Sequence, residues 1–204
     1  MFLSDDITEE NVAEKLKGYE GVLIAPGFGE RGVEGKIVAA HYARENNVPT
    51  LGICFGMQVM AIEFARNVLG YNDAHTAEIN PNTQHKVIDM MEEQKTVLEK
   101  GGSMRLGGYS CKLREGSKAR EIYGTDIIRE RHRHRFEFNH SYEAEFEANG
   151  MIVSGKNPET GLGEIVEMPS KRWYVGVQFH PEYSSTVLKP HPLFMSFIKA
   201  AAKI

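Results

Sequence analysis

The sequence predicts an α/β fold in which a mostly parallel central sheet is flanked by helices. Three observations lead there. Residues 21–25 (GVLIA) and 49–54 (PTLGIC) are short, nearly continuous apolar runs, as expected of strands buried on both faces. Residues 57–69 place Met57, Met60, Ala61, Phe64 and Val68 on one helical face at i, i+3, i+4, i+7 and i+11, and Gly70 stops the run. Strand then alternates with helix, which calls for a sheet covered on both sides.

Each element follows in order. Thr8 is a good N-cap for a short helix with Val12 and Leu16 on one face, ended by Gly18. Residues 26–35 form a glycine-rich loop, and 36–45 read as helix. The middle reads differently. Residues 71–118 are expected to hold turns, a strand near 86–91, and a polar loop with Gly101, Gly102, Gly107 and Gly108. Strands follow near 136–138, 151–154, 164–167 and 173–179, and 192–203 closes the chain as an amphipathic helix. No repeat or low-complexity linker interrupts it, so residues 1–204 read as one domain.

The composition narrows the function. A chain of 204 residues buries a core without disulfide staples. A net charge of −4 provides no global field for nucleic acid. The two cysteines, Cys54 and Cys111, fit a reducing compartment. The first residues carry no basic, apolar leader, and no apolar stretch approaches the ~20 residues that span a bilayer. The expectation is a cytoplasmic protein with no membrane or nucleic-acid partner and no metal.

Gly52-Ile53-Cys54-Phe55-Gly56 is a G-x-C-x-G element between strand and helix, the thiol version of a nucleophile elbow. The turn strains its central residue, and the following helix N-terminus stabilises a thiolate. A buried structural cysteine fits this motif equally well. His180-Pro181-Glu182, after the apolar strand, favours catalysis. Residues two apart at a strand end project to one side. Glu182 can therefore orient one imidazole nitrogen while the other faces the thiol, as in a catalytic triad.

With these residues in view, the chain resembles the class I glutamine amidotransferases, and within them the glutaminase domain of CTP synthase. Further runs carry the likeness: Pro26-Gly27-Phe28-Gly29, Arg31-Gly32-Val33-Glu34-Gly35-Lys36-Ile37, Ser103-Met104-Arg105-Leu106-Gly107, residues 131–139 (RHRHRFEFN) and residues 175–182 (VGVQFHPE). The resemblance implies a flavodoxin-like three-layer domain with a small added β region. It also implies that Cys54, His180 and Glu182 hydrolyse glutamine to glutamate and ammonia. Backbone N–H groups of Gly27 and Phe55 hold the oxyanion; Pro26, which departs from the double glycine common in this family, has no N–H to donate. Gly27, Phe28, Phe55, Gly56, Met57, Gln58, Glu78 and Arg135 bind glutamine, the last two matching the charged ends of a zwitterion.

The resemblance also implies a partner. Amination of UTP to CTP needs a synthetase domain, joined covalently or acting in trans, and no phosphate-binding loop for it occurs in this chain. ATP, Mg²⁺ and UTP belong to that domain, no cofactor is expected in this one, and the full-length protein is expected to be an oligomer. Arg31, Glu34, Gly35 and Arg105 match segments near an activating GTP site. Three rival readings fit the residues less well. Gly27-Phe28-Gly29-Glu30-Arg31-Gly32 spells G-x-G-x-x-G, but the expected ribose-binding acid is replaced by Gly52 and Cys54, against a Rossmann oxidoreductase. The basic run at 131–135 has little aromatic interleaving, against an RNA-binding module. A self-sufficient γ-glutamyl hydrolase with the same triad is the nearest alternative.

Overall fold

The computed structural model describes residues 1–90 and 104–203. The expected loop glycines Gly101 and Gly102, Met91 of the expected strand, and Ser103 of the quoted motif lie outside them. The helices are α1 (Val12–Leu16), α2 (Val33–Glu45), α3 (Phe55–Asn67), α4 (Lys118–Tyr123), α5 (Glu143–Ala148) and α6 (Pro192–Ala202). The strands are β1 (Val22–Ile24), β2 (Thr50–Ile53), β3 (His75–Thr76), β4 (Lys86–Asp89), β5 (Arg105–Leu113), β6 (Ile127–His134), β7 (Glu137–Phe138), β8 (Ile152–Lys156), β9 (Gly163–Glu167) and β10 (Tyr174–Val177).

Seven strands form one sheet in the order β1-β2-β10-β9-β8-β5-β6. Parallel pairing joins only β1, β2 and β10; the other neighbours run antiparallel. The sheet is thus mixed, with its parallel part, β1-β2-β10, carrying the elbow. The links from β8 to β9 and from β9 to β10 are short turns, which can join only antiparallel neighbours, whereas α2 gives β1 and β2 the crossover that a parallel pair needs. Three layers result. Helices α2, α3 and α5 bury Ile37, Phe64 and Phe146 on one face, and α4 and α6 bury Ala119, Leu193 and Phe197 on the other.

The expected small β region is a three-stranded sheet, β3-β4-β7. Other expectations are corrected. Residues 104–113 are not a polar loop but start the long β5–β6 hairpin. Thr8 does not cap α1; the helix is preceded by Asn11, whose side chain accepts the Thr8 N–H. The helix at 57–69 starts two residues earlier, at Phe55, immediately after Cys54.

A glycine strip seats α3 on the sheet. Gly52 and Gly176 are paired across β2 and β10. A Cβ on Gly52 would stand 2.3 Å from Met60 Sδ and 2.8 Å from the Gly56 backbone; one on Gly176 would stand 3.0 Å from Met57 Cγ. The two glycines of the G-x-C-x-G element therefore face each other, and the helix N-terminus sits directly over the strand end.

Candidate active site

Cys54 lies between β2 and α3 with φ 51° and ψ −105°, a strained conformation for a residue with a side chain. Its N–H donates to the Val177 carbonyl at 2.7 Å, which ties the elbow to β10. The chain leaving β10 carries His180, whose own N–H donates to the Arg131 carbonyl on β6 at 2.8 Å. Backbone bonds on two sides thus fix both residues relative to the sheet.

The His180 ring is held from several directions. Its Nδ1 lies 2.6 Å from Glu182 Oε1, and Tyr183 stacks on it at 4.7 Å between ring centres. Its Nε2 is buried with no hydrogen-bond partner of acceptable geometry among the described residues, and the thiol of Cys54 is the group close enough to act on it. Burial by itself lowers the imidazolium's pKa, but interactions with Cys54 and Glu182 outweigh it and raise it to about 10. The resting imidazole therefore carries a proton at neutral pH, ready for donation.

A cleft of about 570 Å³ opens over this pair. Besides the triad, it brings together Gly27, Phe28, Phe55, Gln58, Glu78 and Arg135. Phe28 is 88% exposed at its mouth. Glu78, just past β3, and Arg135, just before β7, reach the cleft from the small sheet. Burial pushes the Glu78 carboxyl up, and the charge of Arg135 opposes this. Two expected glutamine contacts lie elsewhere. Met57 is buried beneath Gly176, and Gly56 packs against the Ile24 carbonyl, so both support the elbow from behind.

The residues matched to an activator region do not share one surface. Arg31 is exposed and paired with Asp5 at 2.7 Å, and Glu34 pairs with Arg66 at 2.8 Å. Gly35 is buried where a Cβ would strike the Ser4 carbonyl. Arg105 is only 8% exposed. It lies 2.6 Å from Glu164 and 3.3 Å from Glu137, both fully buried, and is engaged in the interior rather than presented to a ligand. The basic run is divided in the same way: His132 and His134 point inward on β6, and Arg129, Arg131 and Arg133 point to solvent.

Two residues close to Cys54 were not among the expected site residues. Gln178 donates through Nε2 to Cys54 Sγ at 3.7 Å and accepts from Gln58 Nε2 at 3.2 Å. Its place two residues before His180 was a usable signal, since alternate residues of a strand end share a face. Lys36 packs against Phe55, and only its place in the quoted RGVEGKI run drew attention to it. Among the described residues, no cluster of three or more His, Cys, Asp or Glu is arranged to hold a metal ion.

Known proteins resemble this chain in sequence and fold. A family model described as glutamine amidotransferase class-I matches residues 2–200. A CTP synthase of Porphyromonas gingivalis is 65% identical over 98% of this chain and 37% of its own length. One from Bacteroides thetaiotaomicron is 61% identical over 97% of this chain, again 37% of its own length. The chain therefore spans little more than a third of these relatives. The glutaminase domain of Trypanosoma brucei CTPS, solved with bound acivicin, superposes with a TM-score of 0.90 at 39% identity, covering 95% of this chain and 75% of that one. A glutamine amidotransferase from Thermotoga maritima shares the fold at a TM-score of 0.54 and 16% identity, covering 82% of this chain and 58% of that one. The match of the family model over almost every residue, with the close superposition on a solved glutaminase domain, establishes that the chain belongs to the class I glutamine amidotransferase family, among the glutaminase domains of CTP synthases.

Proposed function

We propose that this chain hydrolyses glutamine to glutamate and ammonia through Cys54, His180 and Glu182, and that the ammonia serves ATP-dependent amination of UTP to CTP at a synthetase domain. The carrying observation is the pairing at the cleft floor: a strained Cys54 beside a His180 whose other nitrogen is held by Glu182.

The thiolate of Cys54 attacks the side-chain amide carbon, and the oxygen's negative charge falls on the N–H groups of Gly27 and Phe55. Each such donor is worth about 3–4 kcal/mol of transition-state stabilisation. The imidazolium of His180 gives its proton to the departing nitrogen, which leaves as ammonia, and a thioester remains. Now neutral, His180 takes a proton from water as the water attacks the thioester. Glutamate leaves, and thiolate and imidazolium return. Arg135 and Glu78 hold the carboxylate and ammonium of the substrate. The hydrolysis itself consumes no cofactor; ATP, Mg²⁺ and UTP act at the synthetase domain.

The synthetase domain is the expected partner, in a cytoplasmic oligomer, and GTP the expected activator through the loop bearing Arg31 and Glu34. A shift of about 1 Å at Gly27 costs on the order of 100-fold in rate, so an incompletely set oxyanion loop is an effective off-switch. Labelling with a chloro-ketone analogue of glutamine, followed by peptide mapping, tests the chemistry: the adduct belongs on Cys54, and an adduct on Cys111 alone overturns the assignment. Glutamate release with and without GTP and a synthetase domain tests the coupling. Unaided turnover near roughly 10 s⁻¹ favours a self-sufficient hydrolase instead.

A further inference from the structure

The amine of Lys36 is half-buried beside the nucleophile, and no step above uses it. Lys36 stands in the first turn of α2, and its Nζ reaches back to the end of β1, donating to the Ala25 carbonyl at 3.1 Å. The same atom lies 5.2 Å from the centre of the Phe55 ring. A Cβ built on Gly27 would stand 3.1 Å from Nζ and 3.9 Å from Phe55 Cδ1. Gly27 has no positive φ, so a side chain there meets the amine rather than a backbone penalty and has to push it aside by a few tenths of an ångström. The ammonium thus packs against both residues assigned to the oxyanion.

Its charge is unusual for its position. Among the described residues, no carboxylate lies within 4.0 Å of it. Burial lowers its pKa, and the charge of Cys54 opposes this. An ammonium withdrawn from water without an anion is costly, and the cost falls when negative charge forms nearby. Two such charges form here in turn, on the Cys54 sulfur and on the tetrahedral oxygen.

We propose that Lys36 is a positioning residue of the glutaminase site: it seats the Ala25–Gly27 turn against Phe55, and its charge favours the anionic states of Cys54 and of the oxyanion. The oxyanion half rests on the glutaminase reading; the thiolate half does not require turnover.

The test is alkylation of Cys54 by iodoacetamide in the full chain, followed by mass spectrometry from about pH 5 to 10. In Lys36→Gln and Lys36→Met, the midpoint of the rate–pH profile is expected to rise, with the rate at neutral pH falling about tenfold. Lys36→Arg keeps the charge and is expected to stay within about twofold of the parent. In glutamate release, the neutral variants lose kcat and keep KM, as for an interaction made in the transition state. An unchanged profile in a folded neutral variant overturns the proposal, as does an equal loss in Lys36→Arg. Failure of both neutral variants to melt cooperatively also overturns it, because Lys36 then holds the fold and not the charge. A shifted profile in a chain without glutaminase turnover supports the proposal and counts against the glutaminase reading alone.

Discussion

Nδ1 of His180 and Oε1 of Glu182 lie 2.6 Å apart, at the start of a single 3₁₀ turn formed by Pro181–Tyr183. The carboxylate orients the ring and supports its charge, but the nucleophile and the proton carrier remain when it is removed. Glu182→Gln is expected to lose on the order of 100-fold less kcat than Cys54→Ala. Its His180 ring should titrate below about 10, read by imidazole NMR. The sign is set by the raised value: the stabilisation is complete below the unfolded pKa of about 6.5 and is lost as pH rises toward 10. Thermal melts of Glu182→Gln should show less of that alkaline loss. An unshifted ring would remove Glu182 from this role.

In the proposed reaction, Arg135 and Glu78 bind groups of glutamine that do not change charge. Arg135→Ala should therefore raise KM for glutamine on the order of 30-fold and leave kcat within a few-fold. Steady-state kinetics decides it, and a loss confined to kcat would contradict it.

Arg105 tests the buried charges. Its removal leaves Glu137 and Glu164 in the interior without their cation. Arg105→Met is expected to lose about 3–5 kcal/mol at pH 7 by denaturant unfolding. Burial, opposed by Arg105, pushes Glu137 up to about 8. The folded state thus takes up its proton more readily than the unfolded chain, and this group's contribution is lost as pH rises from about 4.5 to 8. The penalty of Arg105→Met should accordingly grow as pH rises above about 8, where Glu137 gives up its proton only with Arg105 beside it. An equal penalty at about pH 7 and about pH 9 would mean that Glu137 is already ionised at neutral pH.

The glycine strip predicts an order. Gly52→Ala meets Met60 and the Gly56 backbone far inside contact distance, while Gly176→Ala meets Met57 at 3.0 Å. Gly52→Ala is expected to cost about 1–3 kcal/mol or more by overpacking, Gly176→Ala less, with Cys54 alkylation slowed chiefly in the former. Chemical unfolding and alkylation rates check both, and the reverse order would mean that α3 is free to shift.

Strands β1, β2 and β10 and helix α3 were legible in the sequence because each is a short, largely apolar run or an apolar helical face, even though Leu23 of β1 is exposed. The β5–β6 hairpin was not. Strand β5 contains Gly107 and Gly108, and β6 turns Glu130, His132 and His134 inward, where Glu164 meets both His132 and Arg105. A strand whose inner face is charged has no apolar period to read.

By itself, the sequence pointed to Cys54, His180 and Glu182 as the candidate nucleophile, base and orienting acid, because each stands in a short motif at a strand end. The expected glutamine contacts came with those motifs and the family they resemble. Tertiary structure alone decided that Gln178 reaches the Cys54 sulfur, that Lys36 packs between Gly27 and Phe55, and that Arg105 is held inside between two glutamates. Each of these joins segments distant along the chain, so its geometry arises only when the sheet, α2 and α3 pack together and exclude water from the charges between them.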